Sequence, residues 1–247
     1  MRGGTRVERA LLLTVPRALA RRATAEGVGT ALLVAIIVGS GIAAQRLAPG
    51  QAALQLLACS IATGAGLVAL ILAFGPVSGG HFNPAVTLAD RLCGGISTRD
   101  GVVYAMAQLA GAVAGVVVAN LMFGLPAVTI STHTRAAHGL WLGEFVATFG
   151  LVIVILGVAR RGRAAVAAYA VGGYIAAAYW FTSSTSFANP AVTVARALTN
   201  TFAGIRPSSV PAFVVMQLAG AVVAVALARF LHPDLVADAV VVPHEQA

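Results

Sequence analysis

The pentapeptide Asn-Pro-Ala-Val-Thr occurs twice in this chain, at 83–87 and at 189–193, 106 positions apart. Two other landmarks repeat in the same order. Glu-x-x-x-Thr recurs as Glu26 with Thr30 and Glu144 with Thr148, 118 positions apart, and Gln-Leu-Ala-Gly-Ala recurs at 108–112 and 217–221, 109 positions apart. Three ordered matches at similar offsets mark a chain built from two related halves. Around them lie six apolar runs, at about 26–45, 51–74, 101–123, 139–159, 164–183 and 209–231, each matching the roughly 20 residues that a helix needs to cross a bilayer. Three spans per half is an odd number, so the second half enters the membrane inverted relative to the first.

The composition agrees with a bilayer environment. Hydrophobic residues make up 59% of the 247 and charged residues only 10%, against about 25% charged in soluble domains, which excludes a soluble globule. The net charge of +8 comes from sixteen bases and eight acids, and every base is Arg. These arginines sit between apolar runs and form no basic face, so nucleic acid is not an expected partner. With six spans both termini share a side, and twelve arginines fall on or beside it; Arg46, Arg135, Arg196 and Arg206 fall on the other. The positive-inside rule makes the arginine-rich side cytoplasmic. The apolar stretch Ala10–Val15, bounded by Pro16 and Arg17, is too short for a signal peptide, so residues 1–23 are expected to be a basic cytoplasmic segment near anionic headgroups. The membrane-spanning region is expected at 24–231, with halves at about 24–123 and 139–231, and a mobile cytoplasmic tail at 232–247. Cys59 and Cys93 fit neither a disulfide framework nor a zinc site and read as packing residues. No metal, cofactor or catalytic constellation is expected.

Residues 78–93 and 183–200 are moderately apolar but too short to cross. Each opens on small polar residues and an Asn-Pro-Ala. Asn is a strong N-cap and Pro is favoured at the first helical position, so each reads as a loop followed by a short helix. Such loops survive at membrane depth only when buried in protein or lining a cavity. The predicted fold is therefore an all-α membrane protein, with six transmembrane helices and two re-entrant half-helices in an inverted repeat. Inversion brings Asn83 and Asn189 together near the midplane, each at the positive end of a half-helix. Two such ends aimed at one point oppose cations, while Asn amides and loop carbonyls offer neutral polar molecules a sparse hydrogen-bond path.

On these paired motifs and inverted spans, the chain over about 24–231 resembles the aquaporin and aquaglyceroporin family, the major intrinsic proteins. The resemblance implies an hourglass bundle with one pore per subunit, a homotetramer, and passive passage of water or small neutral solutes. It makes Asn83, Pro84, Ala85, Asn189, Pro190 and Ala191 the pore motifs. Glu26 and Glu144 match buried glutamates that brace the re-entrant loops. Carried over from the motifs without gaps, the selectivity constriction falls at Thr63, Ala177, Ser186 and Val192. Val192 stands where the family usually has Arg, and none of the four is aromatic, so a wider and more apolar constriction is expected. Arg196, one helical turn on, is a candidate to restore the charge, with a lipid headgroup or a loop carbonyl as its alternative partner. Thr63, Val192 and the stretch Thr185–Arg196 resemble the bacterial branch associated with arsenic resistance. That resemblance implies neutral arsenous and antimonous acid as solutes, with glycerol or urea also fitting, in a bacterial cytoplasmic membrane. The Arg-only, Ala- and Val-rich composition points to a GC-rich bacterium.

Two rival readings remain at this level: a proton-coupled secondary transporter using Glu26 and Glu144, and a plain water channel. Among lesser signals, His81 precedes the first motif as a loop residue or a pH sensor, and Trp141 with Tyr179, Trp180 and Phe181 read as an interfacial aromatic belt.

Overall fold

The computed structural model describes residues 6–159 and 164–232; side chains are described from 18 to 158 and from 166 to 232. The basic loop at 160–163, residues 1–5 and the expected tail beyond His232 lie outside the described residues. Eight α-helices follow in order: α1 Arg6–Leu47, α2 Ala52–Ser78, α3 Pro84–Cys93, α4 Thr98–Met122, α5 His138–Ala159, α6 Ala164–Phe181, α7 Pro190–Ala195 and α8 Val210–Leu231. Among them α1, α2, α4, α5 and α8 carry stretches long and apolar enough to cross a membrane. Helix α6 is apolar over Val166–Phe181, and its 18 residues rise about 27 Å, close to the thickness of a bilayer core. Helices α3 and α7 are the two half-helices. Helix α1 runs without a break through Pro16, so most of the expected N-terminal segment is helical and continuous with the first span. The Ala, Leu and Arg residues that follow favour helix and carry it onward.

Helix ends follow local chemistry. Ser97 caps α4 by accepting the Asp100 amide at 3.0 Å, and α2 ends at Gly79, whose φ of +92° suits only glycine without cost. Within each half the outer spans pair, α1 with α4 and α5 with α8, while α2 and α6 pack across the halves. The repeated Gly of Gln-Leu-Ala-Gly-Ala explains the closeness. A Cβ on Gly111 would overlap the Gly27 carbonyl oxygen, and one on Gly220 would come within 2.5 Å of the Phe145 carbonyl oxygen. Gly27 and Phe145 each follow the repeated Glu.

The half-helices exchange partners: α3 packs on α8 as well as α4, and α7 on α4 as well as α8. Arg22 in α1 pairs with Asp100 at the start of α4 at 2.7 Å, and Arg229 near the end of α8 donates to the Leu92 carbonyl near the end of α3. These contacts mark one end of the bundle. At the opposite end Arg46 donates to the Phe123 carbonyl at 2.6 Å, and the connection after α4 runs beside α7, with the Thr129 and Ser131 amides donating to the Leu198 and Ala197 carbonyls. The exposed side chains are apolar along the spans, Ile61, Met106, Leu142, Tyr169 and Val215 among them, as a lipid-facing surface requires.

Candidate functional site: a pore closed by two half-helices

The loop before each half-helix has the same unusual backbone. Three residues before each motif Asn, Gly80 and Ser186 have φ of +65° and +50°, and directly before it Phe82 and Ala188 have +49° and +47°. Left-handed conformations in non-glycine residues cost on the order of 1–3 kcal/mol each and persist where surroundings over-determine them. Here the surroundings are a buried network. The carboxylate of Glu26 accepts from the Ser78 hydroxyl at 2.6 Å, the amides of His81 and Phe82 at 3.0 and 2.7 Å, and Gln108 Nε2 at 2.7 Å. Glu144 accepts from the amides of Phe187 and Ala188, both at 2.9 Å, and from Gln217 Nε2 at 2.5 Å. Each Gln also donates to the last residue of a motif, Gln108 to Thr87 Oγ1 at 3.0 Å and Gln217 to Thr193 Oγ1 at 2.8 Å. The three repeated landmarks are therefore one device, used twice. The Gln and Thr were legible as repeated letters but not as partners, because nothing in spacing alone says that residues 82 positions apart touch.

Asn83 and Asn189 cap their half-helices, accepting the Ala85 amide at 2.9 Å and the Ala191 amide at 3.0 Å. Pro84 and Pro190 occupy the first helical turn, where a missing N–H costs nothing. The two halves then interlock. Asn83 Nδ2 donates to the Ala188 carbonyl at 2.7 Å, and Asn189 Nδ2 donates to the Phe82 carbonyl at 2.8 Å. The carbonyls freed by the left-handed residues are the ones that receive the opposite amides.

A cavity passes this junction from Gly80 and His81, past Asn83 and Asn189, to Thr63, Ser186, Val192, Tyr179 and Arg196. Its walls between are Leu33, Ile37, Leu67, Ile71, Leu151 and Ile155 with other aliphatic residues. Of the four residues expected at the constriction, Thr63, Ser186 and Val192 line this cavity. Ala177 does not: it is exposed on the outer surface of α6. Two residues along a helix turn by about 200°, so Tyr179 faces the cavity where Ala177 faces away. Tyr179 is thereby corrected from an interfacial aromatic to a buried cavity residue, its hydroxyl 3.0 Å from Thr63 Oγ1. Trp180 and Phe181 beside it stay exposed.

Besides the expected constriction residues, the cavity carries a charged group and an aromatic ring, Arg196 and Tyr179. The Arg196 side chain is 4% exposed. Its Nε donates to the Ala203 carbonyl, its guanidinium carbon lies 3.3 Å from the centroid of the Phe187 ring, and it lines the cavity. Arg196 thus has its loop carbonyl and a place in the path together. Ser186 Oγ is buried with no hydrogen-bond partner among the described residues, and Ser186 lines the same cavity. A polar path walled by aliphatic side chains, with an unmatched hydroxyl along it, suits a molecule that carries its own hydroxyl or amide groups. Glu26 and Glu144 do not line it; they hold its loops.

Six spans, two half-helices meeting at their N-terminal ends and a cavity through the junction define a membrane channel of the inverted-repeat kind. The family model for the major intrinsic proteins matches residues 14–184 and 162–246, and the chain belongs to that family. It is 55% identical over 213 residues to the aquaglyceroporin AqpS of Rhizobium meliloti strain 1021, covering 86% of this chain and 91% of that one. It is 39% identical over 165 residues to aquaporin NIP1-4 of Oryza sativa subsp. japonica, covering 64% of this chain and 60% of that protein. Among solved structures, the aquaglyceroporin from Plasmodium falciparum superposes with a TM-score of 0.66 at 20% identity, covering 88% of this chain and 98% of that one. The protein is a multi-pass membrane channel for small neutral solutes and not an enzyme.

Proposed function

We propose that the channel passively conducts small neutral solutes that carry hydroxyl or amide groups, namely glycerol, arsenous and antimonous acid and urea, together with water. The observation that carries this reading is the cavity itself. It places Thr63, Tyr179, Ser186 and Arg196 beside an aliphatic wall, with the Ser186 hydroxyl unmatched. Such a lining rewards a compact triol, which can hand its hydroxyls from one station to the next while its body faces the aliphatic side. Arsenous acid near neutral pH is an uncharged triol similar to glycerol in size and hydrogen bonding. Val192 supports passage of the bulkier members of this class, because it is shorter than the Arg usual at that position. The name of the Rhizobium meliloti relative, an aquaglyceroporin, agrees with glycerol among the solutes.

The proposed setting is a bacterial cytoplasmic membrane, with both termini in the cytoplasm and Arg46, Arg135, Arg196 and Arg206 toward the outside, as the positive-inside rule orients it. The exposed apolar faces of the spans leave room for the homotetramer that the family resemblance implies. Stopped-flow light scattering of proteoliposomes tests the reading with water, glycerol, urea and arsenous acid, each with and without an imposed pH gradient. The expected result is rapid entry of glycerol and arsenous acid set by the solute gradient alone. Entry of water only would overturn the solute class. Flux that requires the pH gradient would overturn passive conduction.

A further inference from the structure

A second cavity at the end bearing Arg46, Arg135 and Arg206 is lined by Ile37, Cys59, Arg135, Tyr179, Arg196 and Phe202, among others. It shares Ile37, Tyr179 and Arg196 with the pore cavity, so it is the vestibule through which the pore opens at that end. Two guanidinium groups line this vestibule, and among the described residues the hydrogen-bond partners given for them are neutral. Arg135 Nε donates to the Gly204 carbonyl at 3.1 Å and Nη1 to the Ser184 carbonyl at 3.5 Å, while Arg196 Nε donates to the Ala203 carbonyl. Both guanidinium carbons sit against the same Phe187 ring, 5.0 and 3.3 Å from its centroid.

The ion pairs among the described residues, Arg22 with Asp100 and His81 with Asp90, involve neither arginine. The carboxylate of Glu144, which braces the loop carrying Phe187, has its two oxygens already occupied by the amides of Phe187 and Ala188 and by Gln217. Two guanidinium groups, Arg196 buried and Arg135 half-buried, thus share one recess whose printed donor contacts are all to backbone carbonyls. Charge held in that way is costly until a counter-ion arrives, and the vestibule is open to one.

We propose that the vestibule binds a single small monovalent anion, a halide or a small monocarboxylate, between Arg135 and Arg196. The guanidinium forks supply charge-assisted donors, and a planar carboxylate matches them better than a sphere does. The anion stays at the mouth because the path beyond is walled by Leu33, Leu67, Ile71 and Leu151, where a charge loses its hydration. A bound anion then obstructs entry of neutral solutes from that side. The site itself follows from the side chains; its effect on flux rests on the channel reading above.

The experiment uses the full-length protein purified in detergent with a bulky sulfonate, HEPES, as bulk anion, and measures the chlorine NMR linewidth of added chloride. Line broadening that formate displaces is expected. Arg135→Gln weakens it about ten-fold, the loss of one charged donor group of two, whereas Arg206→Gln, an exposed arginine at the same end, leaves it in place. Arg135→Lys keeps the charge without the fork, so chloride binding survives and the preference for formate is lost; this variant also guards against a folding defect in Arg135→Gln. In proteoliposomes, replacing external HEPES sulfonate with chloride slows glycerol entry. Broadening that is absent, or that is the same in Arg135→Gln as in the unaltered protein, overturns the proposal even if glycerol flux is normal. Arg135-dependent broadening without any glycerol flux keeps the site and overturns the channel reading instead.

Discussion

Replacing either buried glutamate with glutamine removes one acceptor oxygen while preserving shape, so the loss can be worked from the hydrogen bonds. In Glu26→Gln the best orientation puts the amide oxygen at the Oε2 position, keeping the Phe82 amide and Gln108. The new NH2 then faces the Ser78 hydroxyl and the His81 amide. The hydroxyl can turn and accept; the His81 N–H cannot. One orphaned buried N–H costs about 1–3 kcal/mol, and two retained bonds fall from charge-assisted to neutral at about 1 kcal/mol each. The expected destabilisation is therefore about 3–5 kcal/mol. In Glu144→Gln the same placement keeps the Ala188 amide and Gln217 and orphans the Phe187 N–H, giving the same total. The two variants should lose similar amounts of thermal stability in detergent, on the scale of 10 °C for a chain of about this size, and both should lose solute flux in proteoliposomes as the loops relax. A Glu26→Gln protein with unaltered stability and flux, beside a Glu144→Gln protein that collapses, would refute the equivalence of the two braces. Unaltered stability in both, with flux abolished, would refute bracing itself and point to a proton-handling role.

Two further outcomes follow from the same geometry. Val192→Arg adds a second long side chain to the cavity that already holds Arg196 and Tyr179, so glycerol and arsenous acid flux should fall more than water flux in stopped-flow measurements; equal losses would place Val192 off the conduction path. Gly111→Ala drives a Cβ into the Gly27 carbonyl, and Gly220→Ala meets the Phe145 carbonyl less severely. Overpacking of this kind costs about 1–3 kcal/mol, so both should lower the melting temperature, Gly111→Ala further; the reverse ranking would contradict the helix approach described here.

The helices and the two half-helices were legible because their signals are local. Apolar runs give the spans, and Asn-Pro gives each half-helix start a reason in hydrogen bonding. The partners of the repeated Gln and Thr were hidden because they depend on which helix faces which. The lining of the cavity was legible in part. Counting back from Asn189 found Ser186 and passed over Tyr179, since a gap-free count fixes sequence distance but not which face of α6 turns inward. The left-handed backbone at Phe82 and Ala188 could not be anticipated either: neither residue type favours that region, and the buried carboxylates that enforce it come from other helices.

The reciprocal bonds of Asn83 and Asn189 have an assembly consequence. During synthesis the first half reaches the membrane with the Asn83 amide and the Phe82 carbonyl unmatched, and both find partners only when the second half arrives inverted beside it. Neither half can close the junction alone. A single half could do so only by meeting another copy in the opposite orientation, so the fused chain fixes in one molecule an antiparallel pairing that separate halves would have to find by collision.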